Sequence, residues 1–122
     1  MQYLITVKNS KDFINRLYKC LNGEDKKDPQ GHEIDTWKAY YNTKGLLVLV
    51  HTKEQWEKCC IRLSIPKSCK DNTLVEATFV YFDTTKTEDR NEFDEGTIYG
   101  RFTELLLNHF KQDYKKIEVE AN

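Results

Sequence analysis

The chain has 122 residues, 39% of them hydrophobic, so it is long enough for one domain whose core needs neither metals nor disulfides. Nineteen basic and twenty acidic residues give a formal net charge of −1. Because general binding to DNA or RNA draws on a cationic excess, this balance argues against that class of function. The longest apolar run, residues 46–50, is far too short to span a bilayer.

The four cysteines, Cys20, Cys59, Cys60 and Cys69, raise the question of disulfides. An even count suits a secreted disulfide framework, but the opening residues MQYLITVK lack the basic, apolar and small-residue segments of a signal peptide. Cys59 and Cys60 are contiguous, which makes a bond between them difficult. We therefore expect reduced thiols in a cytoplasmic protein.

The first part of the chain predicts a strand, a helix and a loop. Residues 3–7 (YLITV) are nearly all apolar, which predicts a strand covered on both faces. Asn9 or Ser10 can cap the helix that follows, and the Asn-Gly pair at 22–23 can end it. Its apolar stripe consists of Phe13, Ile14, Leu17, Tyr18 and Leu21. Residues 24–33 are polar and predict a loop.

The middle of the chain predicts a hairpin and a second helix. Residues 34–41 alternate and residues 46–50 are apolar, with turn residues between them, so the second strand of the hairpin is expected to be central in the sheet. Residues 52–55 fit a capping box. A stripe at helical spacing follows: Trp56, Cys59, Cys60 and Leu63. Pro66 is expected to end this helix.

The last part predicts a long strand, a helix and a final strand. Residues 74–82 place one set of side chains on a single face: Val75, Ala77, Phe79 and Tyr81. After a polar run at 83–96, the strongest amphipathic pattern comprises Ile98, Phe102, Leu105, Leu106 and Phe110. Residues 116–121 (KIEVEA) alternate, with Ile117, Val119 and Ala121 inward, and the outward charges predict an edge or half-exposed strand.

The element order β-α-β-β-α-β-α-β predicts a single α+β domain over residues 1–122. We expect a mixed sheet of about five strands with three helices on one or both sides. No internal repeat or linker divides the chain.

His109 falls within the apolar stripe of the last predicted helix, so its imidazole is expected to be partly buried. A buried imidazole can act as a general base or a switch. The alternative is a core histidine that is hydrogen-bonded to a backbone carbonyl or to Asp113.

The candidate metal ligands are His51, Cys59, Cys60 and Cys69, but they lack the two close ligand pairs that zinc sites show. Cys59 and Cys60 fit better as small apolar members of the second predicted helix. Cys69 has the electropositive neighbours of a reactive thiolate, Lys67 and Lys70, but no paired histidine. We predict no metal site.

Residues 96–100 (GTIYG) begin a predicted helix, where anions can bind. Asp94 and Glu95 occupy its first turn and would repel a phosphate, and the GK[ST] ending of a phosphate loop is absent. We predict no cofactor.

The acidic run, residues 83–95, carries six acids and two bases, a local net charge of −4 that leaves +3 on the rest of the chain. Long loops in compact domains are usually functional or disordered. Phe93 among carboxylates is typical of an interface anchor with a charged rim, whereas a plain connector would fold Phe93 back onto the next helix. The predicted partner-binding residues are Glu88, Asp89, Arg90, Glu92, Phe93 and Asp94.

These observations favour a small cytoplasmic protein-binding module of the inhibitor, immunity or mobile-element accessory type, whose partner presents a basic surface. We do not expect an enzyme, because no recognisable nucleophile, metal cluster or phosphate loop is present. Two alternatives stay open. The first is a small enzyme or ligand-binding domain with a helix–sheet pocket that uses His109 or His51 with tyrosines such as Tyr41 and Tyr81. The second is a subunit that docks through residues 116–121 by sheet extension.

Overall fold

The computed structural model describes residues 2–53 and 58–120. Over these ranges the chain forms six strands and two α-helices, with a short 3₁₀ turn at Thr87–Asp89. The elements are β1 (Gln2–Thr6), α1 (Ser10–Leu21), β2 (Trp37–Tyr41), β3 (Leu47–His51), β4 (Cys59–Ser64), β5 (Leu74–Tyr81), α2 (Asp94–His109) and β6 (Lys116–Glu120).

The strands form one sheet in the order β2-β3-β4-β5-β1-β6, and every neighbouring pair is antiparallel. β2 and β6 are its two edges, while β1 lies between β5 and β6. The protein is therefore a mixed α+β domain, as expected, but the sheet is antiparallel with six strands rather than mixed with about five.

Both helices pack on the same face of the sheet. Alternate strand residues point to this face and meet the apolar stripes of α1 and α2 in one core. Its largest fully buried side chains are Trp37, Tyr99, Phe102, Phe110, Ile5, Leu17, Leu21, Leu47, Leu49, Ile61, Leu63 and Ile98. The opposite face carries a smaller apolar cluster of Val48, Val50 and Cys60.

The amphipathic patterns predicted for α1 and α2 are confirmed, because the residues of their apolar stripes are buried or half-buried. Asn9 is the N-cap of α1, and its side-chain oxygen accepts a hydrogen bond from the Asp12 amide at 3.0 Å. Tyr99 ties α2 to β5, because its hydroxyl donates to the Ala77 carbonyl at 3.0 Å and accepts from the Phe79 amide at 2.9 Å. No helix in the described ranges combines the length and apolar character needed to cross a membrane.

The predicted second helix is wrong, because residues 59–64 form β4. Ile61 pairs with Leu49 on one side and Phe79 on the other, so this segment bridges β3 and β5. The apolar residues at 59, 60, 61 and 63 satisfy a helical period and a strand period equally well, and pairing on both sides selects the strand. Residues 54–57, including Trp56, lie outside the described residues.

One further expectation lies partly outside the described residues, and another needs correction. The capping box predicted at residues 52–55 includes positions 54 and 55, which lie outside the described residues. The Thr52 hydroxyl donates to the Asp35 carbonyl at 3.2 Å, beside the β2–β3 hairpin. β1 is covered on one face rather than two, with Tyr3 and Ile5 buried and Leu4 only half-buried. The reason is that both helices lie on the same side of the sheet.

Candidate functional site

The acidic loop, defined as residues 83–93, joins β5 to α2 and is fixed to the body by side-chain hydrogen bonds. Thr85 is buried and its hydroxyl donates to the Lys58 carbonyl at 2.6 Å. Arg90 donates to the Thr85 carbonyl at 3.2 Å, and its guanidinium lies 4.8 Å from the centre of the Tyr81 ring. These contacts fix the path of the loop backbone.

Asp94 lies apart from the other five predicted partner-binding residues, because its side chain is buried. It accepts hydrogen bonds from the Tyr81 hydroxyl at 2.8 Å, the Asn91 amide at 2.8 Å and the Lys58 ammonium at 3.1 Å. Burial opposes ionisation, but these hydrogen bonds outweigh it and hold the pKa of Asp94 below its usual value. The carboxylate thus faces the interior, where it holds the end of the acidic loop.

The remaining five residues are exposed: Glu88, Asp89, Arg90, Glu92 and Phe93. Phe93 is 69% exposed and does not fold back onto α2. Its amide donates to the Asn91 side chain at 2.8 Å, so a local turn presents the ring. The acidic loop therefore displays an aromatic side chain with three carboxylates close to it in sequence.

A second candidate site is a cleft of about 260 Å³ between the β2–β3 hairpin and the C-terminal half of α2. We call it the histidine cleft, because both His51 and His109 line it. Its other polar lining residues are Thr36, Lys53, Arg101, Glu104 and Asn108. The structure thus brings together the two histidines named for a helix–sheet pocket. Tyr41 and Tyr81 do not line it: Tyr41 packs against Tyr18, and Tyr81 contacts the acidic loop.

His109 is held by Asp28, whose side chain is fully buried in the loop at 24–33. Nδ1 of His109 lies 2.7 Å from Oδ2 of Asp28. The other carboxylate oxygen accepts from the amides of Gln30 at 2.9 Å and His32 at 2.8 Å. Burial opposes ionisation, but these hydrogen bonds prevail and the pKa of Asp28 lies below its usual value. An ionised acceptor therefore orients the imidazole.

The partner suggested for His109 was Asp113, and this is wrong. Asp113 instead lies 3.4 Å from Nε of Arg16. Asp28 was missed because it is 81 residues away in sequence. The residues DPQG at 28–31 do indicate a tight turn, and Gly31 adopts a positive φ of 89° there, but no sequence pattern names the histidine that the turn meets.

Aromatic packing holds the other side of the histidine cleft. His51 is buried, and its ring lies edge-on to Trp37 with 5.1 Å between the ring centres. Trp37 in turn packs against Phe102 of α2 at 6.3 Å. Arg101 and Glu104 form an ion pair of 3.2 Å among the lining residues.

All four cysteines are thiols. Cys59 and Cys60 occupy opposite faces of β4, so they cannot bind one ion together. Burial raises the pKa of Cys59 to about 12 and that of Cys60 to about 11, which keeps both protonated. The Cys69 thiol donates to the Asp71 carboxylate at 3.3 Å. Within residues 2–53 and 58–120, no three His, Cys, Asp or Glu side chains are grouped to hold a metal.

β6 is an edge strand, paired with β1 on one side. Val119, expected to point inward, is 58% exposed. Lys116 and Glu118 form an ion pair of 3.2 Å. Charged side chains of this kind on an edge strand oppose its pairing with a strand of another molecule. Ala121 lies outside the described residues.

Comparison with known proteins finds no matching family model, no matching curated protein and no matching solved structure, so both candidate sites rest on this chain's own geometry.

Proposed function

We propose that this protein is a small cytoplasmic protein-binding module of the inhibitor, immunity or accessory type, which contacts a partner with a basic surface through the acidic loop. The observation that carries the proposal is the 69% exposure of Phe93 in a loop whose course is fixed by hydrogen bonds. The thiol state of the cysteines agrees with a reducing compartment.

An exposed aromatic ring on a fixed backbone is suited to anchoring an interface. Aromatic side chains bury a large area on contact, and less conformational entropy is lost when the loop is already ordered. The acidic loop is held at Thr85, whose hydroxyl donates to the Lys58 carbonyl, and again where the Asn91 amide donates to the Asp94 carboxylate. Phe93 therefore fits an apolar pocket on the partner.

The charge next to Phe93 defines the partner further. Glu88, Asp89 and Glu92 are exposed, and Arg90 lies against Tyr81, so the outward charge of the acidic loop is negative. Carboxylates at the rim of an interface chiefly accelerate association and select against acidic partners. The expected partner surface is an apolar pocket surrounded by lysine or arginine.

The test replaces Phe93 with the photo-crosslinking residue p-benzoylphenylalanine and irradiates cells that contain the variant. We expect one principal crosslinked protein with a basic surface, and excess unmodified protein should suppress the crosslink while Phe93→Ala should not. The matched control carries the same residue at Leu107, which is 50% exposed on α2. The proposal fails if position 93 yields no crosslink, or if positions 93 and 107 yield the same products.

A further inference from the structure

We infer that the histidine cleft binds a small molecule through an oxyanion group, either a carboxylate or a phosphate, held by His109, Lys53 and Arg101. This site is separate from the acidic loop, which lies at the opposite end of α2. The inference stands on the size of the cleft, the charges that line it and the orientation of His109.

The volume of the cleft matches a small molecule. Its 260 Å³ corresponds to the liquid volume of about nine water molecules. A compact metabolite fits this space. Trp37 and Leu105 give the cleft apolar lining for the carbon part of such a ligand.

The cationic side chains that line the cleft favour an oxyanion. Of the described residues that line the cleft, Lys53 and Arg101 are cationic and Glu104 is anionic. The Glu104 carboxylate lies 3.2 Å from Nη1 of Arg101, and Lys53 is exposed. Lysine ammonium and arginine guanidinium groups donate charge-assisted hydrogen bonds to oxyanions, so the cleft offers donors to a negatively charged group.

Asp28 orients His109 for this role. The buried carboxylate engages Nδ1, so Nε2 is the ring nitrogen left for a ligand, and the ring lines the cleft. Over residues 2–53 and 58–120, His109 makes no other side-chain hydrogen bond. Nε2 accepts from a ligand hydroxyl when the ring is neutral and donates to an oxyanion when the ring is protonated. Either state suits a phosphate, which carries both groups.

The test follows the ring ¹⁵N signals of the three histidines while inorganic phosphate or, separately, acetate is added at constant ionic strength. We expect saturable shifts at His51 and His109 with at least one of the two anions, and the anion that saturates at lower concentration tells phosphate from carboxylate recognition. The internal reference is the backbone amide of Asp12, which is exposed on α1 and does not line the cleft. His32 is unsuitable, because its Nδ1 lies 3.4 Å from the Asp28 oxygen that contacts His109.

Matched variants decide whether the cleft itself binds the anion. Lys53→Met should weaken binding about tenfold, as expected for loss of one charged contact, whereas Lys111→Met, an exposed lysine that does not line the cleft, should leave it unchanged. Amide spectra of both variants establish that the fold is intact. The inference is overturned if neither anion gives saturable shifts, or if the shifts persist equally in the Lys53→Met protein.

Discussion

At the scale of single residues, the contact between Asp28 and His109 is the most informative in the molecule. It joins a loop to the end of α2 across 81 positions of sequence, at 2.7 Å. Because Oδ1 of Asp28 accepts from two backbone amides, Oδ2 is the oxygen that accepts a hydrogen bond from Nδ1–H of His109. The neutral ring should therefore carry its hydrogen on Nδ1.

Asp28→Asn should move the ring hydrogen of neutral His109 from Nδ1 to Nε2. The asparagine oxygen would keep the amides of Gln30 and His32, so its NH₂ group would face Nδ1 and require an acceptor there. We expect His109 to change to the Nε2–H form, measured from ring ¹⁵N shifts at about pH 9, where an ordinary imidazole is neutral. We also expect a loss of about 1–3 kcal/mol in the free energy of unfolding.

Asp113→Asn is the control for this prediction, since Asp113 lies beside Arg16 rather than His109. Its His109 signals should match those of the unmodified protein. If Asp28→Asn leaves the Nδ1–H form in place, the hydrogen bond does not set the tautomer.

At the scale of elements, the acidic loop combines a fixed frame with an exposed charged surface. Thr85 and Asp94 are buried and fix the loop by hydrogen bonds, while Glu88, Asp89 and Glu92 face solvent. Residues of the frame should therefore affect stability, and the exposed carboxylates should affect association.

Neutralising the exposed carboxylates (Glu88→Gln, Asp89→Asn and Glu92→Gln together) should slow association with the crosslinked partner about tenfold or more. Dissociation should change much less, because rim charges act mainly on the encounter. Stopped-flow kinetics at several salt concentrations measures both effects, and the salt dependence should become shallower.

A control with the same change in net charge is available in the loop at 24–33. Glu24→Gln, Asp25→Asn and Glu33→Gln remove three exposed carboxylates elsewhere. If this variant slows association as much as the first, net charge governs the encounter and the acidic loop has no particular part in it.

At the scale of the whole molecule, the two candidate sites lie at opposite ends of α2. The helix has 16 residues and spans about 24 Å. The acidic loop precedes its N-terminus, and His109 is its last residue. Negative charge therefore gathers at one end of α2, and the histidine cleft, with Lys53 and Arg101 in its lining, lies near the other.

The stability of the whole fold should depend on pH through the two buried aspartates. The pKa values of Asp28 and Asp94 lie below their usual values in the folded protein. Their stabilising contribution is therefore complete above the unfolded pKa of about 4 and is lost as the pH falls through the folded values. Asp94→Asn should lower the free energy of unfolding near pH 7 by about 1–3 kcal/mol, and the difference from the unmodified protein should shrink below about pH 4.

Urea unfolding at a series of pH values measures this difference. Asp12→Asn serves as the control, since Asp12 is exposed on α1. Parallel curves for the Asp94→Asn and unmodified proteins would contradict the assigned role of Asp94.

The sequence by itself determined those features that depend on neighbouring residues. The stripes of α1 and α2, the cap at Asn9, the β2–β3 hairpin and the edge strand β6 all follow from local periodicity and turn chemistry. The negative charge of the acidic run is likewise a property of composition. These features need no knowledge of distant contacts.

Only the tertiary structure decided what depends on pairing between distant segments. Residues 59–64 fit either a helix or a strand, and their place between β3 and β5 made them β4. Phe93 became an exposed side chain, and Asp94 an interior one, because Lys58 and Tyr81 lie where they can bind the carboxylate. Asp28 met His109 for the same reason: hydrogen bonds between remote residues follow from the folded path of the chain, which local sequence patterns do not encode.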